Sequence, residues 1–154
     1  CLGMQMAVIE YARNVKGMSK ANSTEMDPEC KVAIIDLMES QKNITDKGGT
    51  MRLGAWDCVL ASDSMLNQVY STQEISERHR HRYEFNDSYR EQLFDNDFKI
   101  AGWNPETKLV EIIENKNHAW FVGVQFHPEY KSTVSNPHPL FAAFVGAALK
   151  HSRT

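Results

Sequence analysis

The sequence predicts an α/β layered fold, and three observations predict it. Short β-branched or alternating runs recur along the chain. Helical patterns stand among them and at both ends. With 42% of its 154 residues hydrophobic, the chain suits one domain, residues 1–154, able to bury roughly 70% of the surface its unfolded form exposes.

Leu2, Met6, Ile9 and Val15 fall at near-helical spacing, Ala7 and Val8 thicken the stripe, and Gly17 is a stop. Residues 20–29 are polar and predict a loop. Val32 to Ile35 is short, β-branched and apolar, a buried strand ending at Asp36. Residues 39–49 predict a loop closed by a glycine pair. Thr50 to Ala61 and Ile75 to Asn86 predict strands, the second with clear alternation. Ser88 and Glu91 have capping-box spacing and open a short helix up to Phe94. Lys99 to Trp103 and Leu109 to Glu114 predict a hairpin across Asn104-Pro105-Glu106-Thr107, Trp120 to Phe126 another strand, and Pro139 to Lys150 a last helix.

Lys and Arg number 17 against 20 Asp and Glu, a net charge of −3, so non-specific nucleic-acid binding is not expected. The longest apolar run, Phe141 to Leu149, is about half what a membrane crossing needs. No charged-then-apolar leader opens the chain. Cys1, Cys30 and Cys58 form no CxxC pair, which argues against a disulfide framework or zinc knuckle and for a reducing cytoplasm.

Four motifs carry chemistry. Cys1-Leu2-Gly3-Met4-Gln5 puts a cysteine at a helix N-terminus, where the dipole and unpaired N–H groups stabilise thiolate. Gly3 permits close approach of a backbone or substrate, and the Leu2 N–H is placed to bind a developing oxyanion. The plain alternative is a buried, inert cysteine. In Gln125-Phe126-His127-Pro128-Glu129, Pro128 stiffens the segment, so Glu129 can hold one ring nitrogen of His127 and leave the other as a base. The alternative is a strand-end histidine beside a solvated glutamate. Together they give nucleophile, base and orienting acid in the order Cys, His, Glu.

Glu77-Arg78-His79-Arg80-His81-Arg82-Tyr83-Glu84-Phe85-Asn86 is the third. Strand alternation puts Arg78, Arg80 and Arg82 on one face and His79, His81, Tyr83 and Phe85 on the other. It suits an anion site for a carboxylate or phosphate, a metal site with His127 as third ligand, or a basic strand paired with acidic neighbours. The spacing of Gly48-Gly49-Thr50-Met51-Arg52-Leu53-Gly54 is neither a P-loop nor a dinucleotide fingerprint, and a turn entering a strand accounts for it.

Together CLGMQ at 1–5, NSTEM at 22–26, GGTMRLG at 48–54, ERHRHRYEFN at 77–86 and VQFHPEY at 124–130 resemble the glutaminase (class I glutamine amidotransferase) domain of the CTP synthase family. The resemblance implies an α/β layered sandwich with helices around a central mixed sheet, here lacking its N-terminal part. It implies that Cys1 attacks the glutamine side-chain amide to form a thioester, with His127 as base and acid, Glu129 orienting the ring, and Leu2 in the oxyanion site. Gln5 and Glu25 are expected to hold the amino-acid end of glutamine, Glu25 through the α-ammonium. Arg82 and the Tyr83 backbone are expected on the α-carboxylate. No cofactor or metal is expected in this domain. ATP, UTP and magnesium are expected on a synthase domain outside the sequence, which takes the ammonia to make CTP and through which the enzyme forms a homo-oligomer. The resemblance further implies a nucleophile elbow and oxyanion loop before Cys1, so the chain is expected to be part of a longer polypeptide or a fragment with little activity alone. Other readings are a non-catalytic binding or assembly module on the same fold, and an amidotransferase using an N-terminal cysteine.

Overall fold

A computed structural model describes residues 1–37 and 51–153. Helix α1 (Leu2–Asn14) buries Met4, Gln5, Val8, Ile9 and Ala12, the i, i+4 face of a helix with one side to the core. The inward stripe is therefore not the expected one: Leu2 and Val15 are exposed. After Asn14 the chain turns where Gly17 adopts φ +71°, and Met18 N–H reaches back to Ala12 O at 2.8 Å.

Two sheets follow. The smaller is mixed: β1 (Ala21–Ser23) runs parallel to β2 (Val32–Asp36), and β5 (Glu84–Phe85) pairs antiparallel on the far side of β2. The larger is antiparallel, with the order β4-β3-β6-β7-β8, built from β3 (Arg52–Leu60), β4 (Glu74–His81), β6 (Phe98–Trp103), β7 (Val110–Asn115) and β8 (Val122–Val124). Helix α1 packs against β1 and β2 of one sheet and β8 of the other. Met4, Val8, Ile9 and Ala12 meet Ile34, Ile35, Phe85, Phe98 and Ile113 there in one core cluster, each large apolar side chain contributing about 1.5–3 kcal/mol by leaving water.

A second cluster gathers Cys58, Leu60, Ile112 and Phe126 with Leu66 of α2 (Leu66–Tyr70) and Leu140 of α4 (Pro139–His151). The α4 start is fixed chemically. His138 accepts from Leu140 N through Nδ1 at 3.3 Å, while its Nε2 lies 2.8 Å from Glu77 Oε1, which also accepts from Tyr70 Oη at 3.0 Å.

The α/β layering, the 98–115 hairpin and both terminal helices stand where the sequence puts them. Asn104 holds the hairpin turn: its Oδ1 accepts from the backbone N–H groups of Glu106 and Thr107 and its Nδ2 donates to Asp57 O. Other expectations are corrected. The polar 20–29 segment contains β1, because Ala21 and Ser23 alternate inward. Helix α2 was not expected; its C-terminal residue passes to Ser71 in the left-handed region, φ +58°. The 75–86 strand breaks after His81, and Glu84 and Phe85 join the other sheet. Asn86, not Ser88, caps the next turn by accepting from Ser88 N at 3.1 Å, ahead of the short helix α3 (Arg90–Leu93). The expected 39–49 loop and Thr50 lie outside the described residues.

Candidate active site

Cys1 is the N-cap of α1, and its side chain makes no capping hydrogen bond. Its carbonyl accepts from Gln5 N at 3.3 Å, which leaves the first-turn N–H groups, Leu2 among them, without helical partners. Its amino nitrogen donates to Val124 O at 2.7 Å, tying the start of α1 to the end of β8. The sulfur accepts from Gln125 Nε2 at 3.3 Å. Among the described residues nothing lies within 4 Å of where a Gly3 side chain would begin.

A cleft of about 240 Å³ opens at this helix end, lined by Cys1, Leu2, Gln5, Glu25, Met51, Arg80, His81, Arg82 and Tyr83. It brings together Cys1, Leu2, Gln5, Glu25, Arg82 and Tyr83 of the expected site. Three segments supply them: the start of α1, the turn after β1, and the break between β4 and β5. Gln5 is buried, and its Nε2 donates to Tyr83 O at 3.0 Å and approaches Gln125 Oε1 at 3.4 Å.

His127 and Glu129 are not part of that lining. They follow β8, and His127 N donates to Arg78 O at 2.8 Å. Pro128 opens a single turn of 3-10 helix that carries Glu129 back toward the ring. His127 Nδ1 lies 2.6 Å from Glu129 Oε1, leaving Nε2, which is buried and has no hydrogen-bond partner. Desolvation raises the Glu129 carboxyl. The His127 hydrogen bond, a backbone hydrogen bond and the His127 charge outweigh it, so Glu129 is held below its ordinary value. The result is an imidazole with one nitrogen held by a carboxylate and the other bare, the electronic arrangement of a general base.

The basic strand divides as alternation requires: Arg78 and Arg80 are exposed, His79 and His81 buried. The expected alternation ends at His81, and Arg82 and Tyr83 form the bend into β5. Among the described residues no group of three or more His, Cys, Asp or Glu side chains is arranged to hold a metal ion, so the third-ligand role for His127 has no support. Burial, with the nearby Arg52 charge, holds His79 and His81 neutral, pushing them down to about 2 and about 3.

Sequence reasoning gave no role to Gln125, Arg52, Glu84 or Glu111. All are buried. Gln125 touches the Cys1 sulfur, and the other three surround the two histidines. The legible signal was polar residues at inward strand positions, Glu111 inside Val110–Asn115 above all, where an uncompensated charge does not survive.

The chain belongs to the class I glutamine amidotransferase family, whose family description, glutamine amidotransferase class-I, matches residues 1–147. Within it, the chain is 64% identical over 152 residues to a CTP synthase of Christiangramia forsetii, covering 99% of this chain and 28% of that protein. It is 61% identical over 151 residues to a CTP synthase of Flavobacterium psychrophilum, covering 98% and 28%. Among solved structures it matches the glutaminase domain of Trypanosoma brucei CTPS with bound acivicin, at a TM-score of 0.88 and 40% identity, over 97% of this chain and 58% of that one. The chain thus spans 28% of the length of the relatives it matches. Among the described residues no helix is long and apolar enough to cross a membrane.

Proposed function

We propose that this chain is the glutaminase part of a CTP synthase. The observation that carries the reading is the cleft at the start of α1, where Cys1 shares walls with the acid Glu25 and with the cations Arg80 and Arg82. An amino acid carries an α-ammonium and an α-carboxylate, and those wall charges answer it. Gln5 and Glu25 take the amino end, Arg82 and the Tyr83 backbone the carboxylate, which points the side-chain amide at Cys1.

His127 takes the proton of the Cys1 thiol, the thiolate attacks the amide carbon, and the Leu2 N–H supports the developing oxyanion. The tetrahedral adduct collapses to a thioester as the amide nitrogen takes a proton from His127 and leaves as ammonia. His127, held by Glu129, then removes a proton from water, which hydrolyses the thioester to glutamate and returns the thiol. The ammonia passes to a synthase domain of the same enzyme, which binds ATP, UTP and magnesium, aminates UTP to CTP, and carries the contacts of a homo-oligomer. The unpaired cysteines Cys1, Cys30 and Cys58 suit a cytoplasmic setting, and neither nucleic acid nor membrane is a partner.

The test uses the full-length protein that carries this segment. It is treated with a glutamine-like diazo-ketone, the adduct is mapped, and CTP formation from glutamine and from ammonium is compared. The expected result is a single adduct on Cys1. His127→Ala should lower glutamine-driven synthesis by about 10²–10⁴, the usual share of a general acid–base group, and leave ammonium-driven synthesis intact. An unlabelled Cys1, or glutamine-driven synthesis unchanged in His127→Ala, overturns the reading.

A further inference from the structure

Against the cleft, with His81 in its wall, lies a ring of buried side chains that the glutamine chemistry does not use. Arg52 of β3 donates through Nη2 to Glu111 Oε1 of β7 at 2.7 Å and through Nη1 to Glu84 Oε1 of β5 at 3.2 Å. Glu84 Oε1 lies 3.3 Å from His81 Nδ1, His81 Nε2 lies 2.7 Å from His79 Nδ1, and His79 Nε2 faces Glu111 Oε2 at 3.6 Å. The ring returns to Glu111 through that last contact, which is longer than a hydrogen bond. The Arg52 guanidinium also lies over the Trp56 ring, 4.6 Å from its centre.

The two imidazoles meet at 2.7 Å, where one ring nitrogen donates and the other accepts. Their outer nitrogens approach the carboxylates without hydrogen-bond geometry: His79 Nε2, His81 Nδ1 and Glu111 Oε2 are buried and have no hydrogen-bond partner. Burial raises Glu111 and pushes Glu84 up to about 8.

The ring's position gives it a use. His81 and Glu84 are the two residues flanking the Arg82–Tyr83 bend, and their approach closes the bend like a clasp. His81 pairs in register with Arg52 across β3 and β4, which sets Arg52 directly beside the residue that opens the bend. Since Glu84 belongs to the small sheet and the other members to the large one, the ring joins both sheets at the point where Arg82 and Tyr83 enter the cleft.

We propose that the Arg52–Glu84–His81–His79–Glu111 ring is the positioning device for the Arg82–Tyr83 bend, and thereby sets the affinity of the Cys1 cleft for the carboxylate end of its amino-acid substrate. This rests on the glutaminase reading. The ring touches no reacting atom, so its loss acts on substrate capture rather than on thioester chemistry.

The test compares full-length wild type with Arg52→Met/Glu84→Gln/Glu111→Gln, which removes the ring's charges together and leaves no buried ion unpaired. A rise in KM for glutamine of about tenfold or more is expected, the scale of one charge-assisted hydrogen bond lost, while kcat with glutamine and ammonium-driven synthesis hold. Glu84→Gln alone, which keeps the carbonyl facing Arg52, should retain the glutamine affinity that Glu84→Ala loses. Unchanged KM in the triple variant, or equal loss of glutamine-driven and ammonium-driven rates, overturns the proposal. Because wild type is assayed alongside, a wild type that does not hydrolyse glutamine overturns the underlying glutaminase reading instead, and the proposal with it.

Discussion

Gln125 donates its side-chain amide to the Cys1 sulfur at 3.3 Å, across 124 positions of sequence. Its own Oε1 lies 3.4 Å from Gln5 Nε2, which fixes which way the amide points. The donor therefore meets the sulfur with its orientation already set, and an N–H aimed at a sulfur favours the charged thiolate over the thiol.

Replacing Gln125 by Met keeps its length and removes the donor. The thiolate loses support, so the Cys1 pKa rises and less nucleophile is present at neutral pH. Alkylation of Cys1 by the diazo-ketone should slow by about tenfold at neutral pH, the scale of one hydrogen bond to a charged group. The pH profile of that rate should move to higher pH. A profile that stays in place would show that Gln125 packs beside the sulfur without tuning it.

The buried ring should be visible in stability against pH. Burial and the Arg52 charge push His79 and His81 down to about 2 and about 3 in the folded protein, below the ordinary histidine value of 6.5. Their contribution is present above about 6.5 and is lost as pH falls toward those values. Glu84 has the opposite sign: raised from 4.5 to about 8, it contributes below 4.5 and loses that contribution as pH rises through 8. Melting temperatures between pH 3 and 9 check both limbs. His79→Gln/His81→Gln should flatten the limb below pH 6.5, and Glu84→Gln should flatten the decline between 6.5 and 8, where the histidines no longer oppose it. Parallel curves for wild type and both variants would contradict these shifts.

Disrupting the proton-holding imidazole gives a separate signature. Glu129→Gln leaves a side chain of the same size 2.6 Å from His127 Nδ1, without the charge that stabilises imidazolium. Glutamine-driven kcat should fall by about 10²–10⁴, with KM for glutamine little changed, since Glu129 lies outside the cleft lining. A fall in affinity instead of kcat would place Glu129 on the substrate.

What the sequence made legible, and what it hid, follows from distance along the chain. His127 and Glu129 are two residues apart, and Pro128 between them sets the geometry, so the pair could be read locally. The alternation from Arg78 to His81 likewise sorted exposed arginines from buried histidines. Arg52 gave no such signal, because its partners lie 32 and 59 positions away and meet it only when the two sheets come together. Strand β1 was hidden by polar residues. It is three residues long and is held by its parallel neighbour β2 rather than by any propensity of its own. Helix α1 was legible as a helix, yet its buried face was misjudged. Gln5 counts as polar in any pattern and is nonetheless buried, because Tyr83 O accepts from its amide.

The last prediction concerns how α1 is seated, since Cys1 rides on it. A side chain at Gly123 in β8 would begin 2.9 Å from Ile113 Cγ1 and 3.2 Å from Met4 Cβ. The isoleucine side chain can turn away, but Met4 Cβ is fixed to the α1 backbone, so Gly123→Ala pushes the helix off the sheet. Overpacking of that kind costs about 1–3 kcal/mol. Because Cys1 is tied to the neighbouring residue through Val124 O, the displacement also shifts the nucleophile, and a misplacement of about 1 Å can cost 10² in rate. Gly3→Ala is the control on the same helix. It meets nothing within 4 Å among the described residues and removes a glycine from a helical turn, a gain of about 0.5–1 kcal/mol. Melting temperature and glutamine-driven turnover should both fall in Gly123→Ala and both hold in Gly3→Ala. Turnover that survives in Gly123→Ala despite a lowered melting temperature would mean that the cleft tolerates movement of its nucleophile, and that the close fit of β8 under α1 serves stability alone.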